Sequence, residues 1–131
     1  MTQEDKQLLL RDLCARLPYK VFVMVEGYHI DKIKGIDGDV ISTDRGINYP
    51  LRLVKPYLRP MSSMTEKECY QIANIRSTFT DNWKYIKTPI PLYIANYNQV
   101  DWLNAHHFDY RGLIEKGLAI AVTPENNPYN V

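Results

Sequence analysis

The stretch "KVFVMVEGYHIDKIKGIDGDVISTDRG", residues 20–46, decides the fold. Residues 20–25 are dominated by β-branched and aromatic side chains, and Glu26 with Gly27 marks a turn. Residues 28–33 alternate less cleanly. Asp37 and Gly38 then form a second turn signal before Val40, Ile41, Ser42 and Thr43, and Asp44, Arg45 and Gly46 form a third. Short strands separated by glycine-containing turns predict an antiparallel meander over residues 20–54. A meander of that size cannot bury its own apolar face, so another element must cover it.

The covering element precedes it. Leu9, Leu10, Leu13, Cys14 and Leu17 recur at helical spacing, Thr2 is placed to cap, Asp5 stands where a capping box has its acid, and Pro18 stops the run. The spacing predicts an amphipathic helix over residues 3–16, with Cys14 as a small core residue on its stripe.

After the meander, Pro56 and Pro60 are expected to end the sheet, because proline cannot donate to a ladder. "PMSSMTEKE" announces a helix with Thr65 as N-cap, Glu66 in the first turn and Glu68 at the third helical position, fading near Ser77. Pro89 and Pro91 make 78–95 irregular. Asn96 or Asn98 caps a further helix carrying Val100, Trp102, Leu103 and Phe108. A short last helix is expected over 110–116, stopped by Gly117, then a strand over 118–122 and a flexible polar tail over 124–131. The expected architecture is one α+β domain over residues 1–123: a small antiparallel sheet, SH3-like in one form, with an N-terminal helix and two or three C-terminal helices.

Composition narrows the function. Sixteen basic residues against fifteen acidic ones give a formal charge of +1, so only local clustering could favour nucleic acid or a membrane surface. The charged start breaks its apolar run after three leucines, which is not the form of a secretory signal, and no stretch is long enough to span a bilayer. A cytoplasmic setting with reduced thiols is expected, the two cysteines, Cys14 and Cys69, being too few for a disulfide framework.

Four features carry chemistry. In "HHFDYRG", residues 106–112, His106 and Asp109 share a helical face and suit a metal or acid–base site. Adjacent histidines diverge by about 100° on a helix, however, and Asp109 is also placed to cap the last helix. The second feature is Arg45, Arg52, Lys55 and Arg59, interleaved with Tyr49 and Tyr57 and free of acids, which resembles a phosphate-binding surface as much as a charge-protected sheet edge. The third is the crowd of Trp83, Tyr85, Tyr93 and Tyr97 around two prolines, suited to a recognition loop or to packing on the core. The last is the cysteines: Cys14 lies on the apolar stripe, and the acidic turn before Cys69 disfavours a thiolate. No glycine-rich phosphate loop, G-x-S-x-G or H-E-x-x-H occurs, and no cofactor is implied.

Three stretches, "LLLRDLCARLPYKV" (8–21), "VKPYLRPMSSMTEKE" (54–68) and "DWLNAHHFDYRGLIEKGLA" (101–119), together resemble a family of short proteins encoded in gut anaerobe genomes, often within prophages or other mobile elements. The motifs YLRPMSSMT and DYRGLIEKGLA are the most specific parts. The resemblance implies a bacterial or phage cytoplasmic setting. It carries no activity, so no catalytic residue transfers with it. The preferred expectation is a non-enzymatic interaction module with a protein partner bound through Trp83, Tyr85, Tyr93 and Tyr97. The alternatives are a nucleic-acid-binding accessory protein using residues 45–59 and a metal-dependent enzyme using His106 and Asp109.

Overall fold

A computed structural model describes residues 1–26, 29–73 and 97–129. It has an α+β fold: helices packed with a six-stranded, mostly antiparallel sheet. Helix α1 spans Gln3–Arg16, and Thr2 Oγ1 caps it by accepting the Asp5 N–H at 3.0 Å. Strands β1 (Phe22–Val25), β2 (His29–Asp37), β3 (Val40–Thr43), β4 (Asn48–Pro50) and β5 (Val54–Leu58) follow. Helix α2 (Glu66–Ala73), helix α3 (Tyr97–Ala105) and strand β6 (Ile120–Ala121) complete the described elements. The sheet order is β4-β3-β2-β1-β5-β6, and among the described strand pairs only β5–β6 is parallel. Leu9 and Leu13 of α1 pack on Val21, Val23, Ile33, Ile41, Val54 and Leu58, so the helix closes one face of the sheet as the meander required. A second core joins Met61, Met64, Cys69, Ile72, Leu103, Phe108 and Tyr110.

Local chemistry explains the boundaries. Gly38, at φ +63°, supplies the left-handed residue that the two-residue link between Asp37 and Val40 needs. Thr65 and Glu68 form a reciprocal capping box on α2: the Glu68 N–H donates to Thr65 Oγ1 at 3.1 Å, and the Thr65 N–H to Glu68 Oε1 at 3.0 Å.

Four expectations need correction. Pro56 does not end the sheet but lies inside β5. The Glu26 N–H donates to Leu53 O at 2.8 Å, which makes Glu26/Leu53 and Met24/Lys55 the bonded rungs and Val23/Pro56 a non-bonded pair. Pro56 therefore owes β1 no donor, and β6 begins only opposite Tyr57. Cys14 is exposed rather than core, because Asp12 and Arg16 occupy the buried face beside Leu9 and Leu13. The segment 110–116 forms turns, not a helix, although Gly117 at φ +73° does act as a stop. Leu118 N–H to Leu113 O and Gly117 N–H to Ile114 O, both 3.0 Å, make the paired bonds of a Schellman ending on a single turn. The tail is docked through residue 129: Thr123 and Asn126 bond to one another, and the Tyr129 ring packs edge-on to Phe22 at 5.2 Å.

Candidate functional site

The histidine pair is divided by the backbone. His106 ends α3 with its ring stacked on Trp102 at 4.0 Å and Nδ1 2.9 Å from the Trp102 carbonyl. His107 takes φ +64° and stacks instead on Tyr129, at 3.7 Å and 12°. Phe108 then lies as a parallel rung beside Arg59, where the Arg59 N–H donates to His107 O and the Asp109 N–H to Arg59 O. Both Asp109 oxygens are engaged, accepting the N–H groups of Leu113 and Ile114 at 2.9 Å. Among the described residues no group of three or more His, Cys, Asp or Glu could hold a metal ion. Asp109→Ala is therefore expected to cost about 2 kcal/mol, at the upper end for a cap, because one buried and one part-buried donor lose their acceptor. Asp109→Asn should cost about 1 kcal/mol, since its amide nitrogen faces one of those donors. Urea melts of the two variants check the order, which a metal site would not produce.

His107 also sets an acid limit. Burial, reinforced by the charges of Arg16, His106 and Arg59, pushes its pKa from 6.5 down to about 4. The unfolded chain takes up this proton near pH 6.5, while the folded chain resists it until about pH 4. Stability is therefore lost as the pH falls through that window and is untouched above it. The ring is only half-buried, and solvent screening brings the expected loss to about 2 kcal/mol. Urea midpoints at pH 7.5 and 4.5 should show this slope in wild type and a weaker one in His107→Asn, which keeps a residue tolerant of positive φ.

Sequence reasoning missed a fully buried ion pair. Asp12 and Arg16 are both fully buried, one turn apart on α1, with Arg16 Nε donating to Asp12 Oδ2 at 2.7 Å. Arg16 Nη2 donates to the Phe108 carbonyl at 2.6 Å, joining α1 to the histidine segment. Arg111 Nε lies 3.2 Å from Asp12 Oδ1, and Arg16 and Arg111 both pack on the Tyr110 ring. The Tyr110 hydroxyl donates to Asn104 Oδ1 at 2.9 Å. The i,i+4 spacing of Asp12 and Arg16 was the available signal, but an ion pair at that spacing ordinarily lies on a solvated face.

The six residues of the basic segment are divided among several settings. Arg59 is clamped by Glu68 through two 2.7 Å bonds and lies over the Phe108 ring at 4.1 Å. Burial raises the Glu68 pKa, but Arg59 and Thr65 outweigh it and hold the carboxyl below its ordinary value. Tyr57 is buried, and burial raises its phenol pKa. The Tyr49 hydroxyl is 3.3 Å from His29 Nε2, and Arg45 lies 3.8 Å from Asp31. Arg52 and Lys55 alone come together at one cavity, both exposed and without an ion pair among the described residues. Of the aromatic segment, Trp83, Tyr85 and Tyr93 lie outside the described residues, while Tyr97 opens α3 at 91% exposure.

That cavity is an open groove of about 310 Å³ lined by Met24, Glu26, Arg52, Leu53, Lys55 and Ile120. The register places it on the sheet face away from α1. Met24 pairs with Ile30 on one side and Lys55 on the other, so those three side chains form a cross-strand row. Ile30 is 40% exposed, an apolar residue left in water at the end of the row. In the next row Phe22 pairs with Lys32, whose Nζ lies 5.2 Å from the ring. The alternation of residues 21–25 could have identified Phe22 and Met24 as this outward set. An apolar floor with cations at its rim suits non-covalent binding of a small side chain. Among the described residues no helix is long and apolar enough to cross a membrane. Compared with known proteins, the chain matches no family model, no curated protein and no solved structure.

Proposed function

We propose that this protein is a non-enzymatic, cytoplasmic interaction module of phage or mobile-element origin, which binds a protein partner through the open face of an SH3-like sheet. The origin rests on the three motifs of residues 8–21, 54–68 and 101–119. The SH3-like reading is supported by the order β4-β3-β2-β1-β5, with β1 between β2 and β5, and by the 3₁₀ turn Leu51–Leu53 just before β5. One observation carries the binding reading: Arg52 and Lys55 stand over an apolar groove with no ion pair among the described residues, whereas Asp12, Arg16, Arg59, Glu68 and Asp109 are spent on holding the fold. The aromatic residues Trp83, Tyr85, Tyr93 and Tyr97 remain a second candidate contact within the same reading. A nucleic-acid role for residues 45–59 is less favoured, because Arg59 is clamped and Tyr57 offers no exposed face for stacking.

Selection from a random-peptide display library, followed by titration calorimetry, tests the proposal. Enriched peptides should lose about tenfold in affinity for Met24→Gln, which removes the apolar floor at nearly constant length. Peptides that bind wild type and this variant equally would contradict it.

A further inference from the structure

Resting on that reading, we infer that the groove takes an acidic, extended protein segment, with an aliphatic side chain on Met24, Leu53 and Ile120 and neighbouring carboxylates on Arg52 and Lys55. The inference comes from which cations already have a counter-charge. Elsewhere on the fold, Lys6 pairs with Asp39 at 2.9 Å, Arg59 with Glu68 at 2.7 Å and Arg45 with Asp31 at 3.8 Å. Lys32, Arg52 and Lys55 make no ion pair among the described residues, yet they surround one apolar row. Among the described residues Glu26 is the single carboxylate of the groove lining. It repels an acid at its end, so the carboxylates of a ligand are directed toward Arg52 and Lys55.

Size and chemistry narrow the occupant. A volume of about 310 Å³ lies at the small end of ligand sites, which run from about 300 to 1,000 Å³, and suits one anchoring side chain. A nucleic acid would need exposed aromatic faces beside the cations. Tyr57 is buried and Phe22 is held between Lys32 and Tyr129, so neither offers one. An aliphatic residue flanked by Asp or Glu uses the whole surface: floor, rim and direction.

Fluorescence anisotropy with two synthetic ten-residue peptides tests this. One carries a central leucine flanked by Asp and Glu, and the other replaces those acids with Asn and Gln. The acidic peptide should bind about tenfold tighter than the amide form, and the advantage should shrink at high salt. Arg52→Ser and Lys55→Ser should each weaken it several-fold, and Glu26→Gln should not. Equal binding of the two peptides, with both still weakened by Met24→Gln, would overturn the acidic assignment and leave the groove reading standing. Binding indifferent to Met24→Gln would overturn the groove reading itself. Failure of the acidic peptide to bind, or its displacement by a single-stranded oligonucleotide that binds more tightly, would overturn the inference.

Discussion

Asp12→Ala is expected to cost about 3–5 kcal/mol, the largest loss of any single substitution considered for this protein. Arg16 is fully buried and Arg111 nearly so, and Asp12 is the carboxylate that faces both. Removing it leaves the buried Arg16 guanidinium without a counter-charge among the described residues. Domains of this kind are stable by roughly 5–15 kcal/mol, so the variant would stand close to its unfolding threshold. Arg16→Met should also be costly, since it frees Asp12 and the Phe108 carbonyl together. The double variant Asp12→Leu/Arg16→Met should cost much less than the sum of the two, because no unpaired charge remains on α1. Urea denaturation of the set checks this. Additive losses would mean that the two side chains do not act as a pair.

Tyr129→Phe is expected to cost about 2 kcal/mol, although it removes a single oxygen. The hydroxyl accepts the Phe22 N–H at 3.0 Å and donates to the Tyr57 carbonyl at 2.7 Å. By register those two groups stand where the next rung of the β1–β5 ladder would bond directly, and the hydroxyl bridges them instead. Burial raises the phenol pKa far above its ordinary value, so the group remains a donor across the working pH range. Phenylalanine preserves the stack on His107 and the edge contact with Phe22, so the loss isolates the two hydrogen bonds. Amide exchange at Phe22 should accelerate selectively in the variant. An unchanged melting midpoint and unchanged exchange would show that the rung carries no stability.

Some of this was legible in the sequence because the signals were local. Thr2 and Thr65 cap their helices as expected, since a cap needs only a side chain and an amide two or three residues away. Gly38 marked its turn through its backbone freedom alone. What escaped notice depends on distant partners. Asp12 and Arg16 read as a solvated pair until Phe108, 92 residues from Arg16, supplies the carbonyl that makes their burial tolerable. Tyr129 read as part of a loose tail because its partners, Phe22 and Tyr57, lie 107 and 72 residues away. Pro56 read as a terminator because composition does not reveal which rungs of a ladder carry hydrogen bonds. The candidate site was half visible: Arg52 and Lys55 stood out as cations, but only the β1–β5 register places them with Met24.

The central claim, that binding uses the open sheet face while the conspicuous polar residues hold the fold, is tested most directly by a methyl NMR titration with the acidic peptide. Methyl signals of Met24, Leu53 and Ile120 should shift in a saturable way. Those of Leu9 and Leu13, packed between α1 and the opposite sheet face, should stay in place. Shifts confined to α3 around Val100 and Leu103, with the groove methyls silent, would contradict the account.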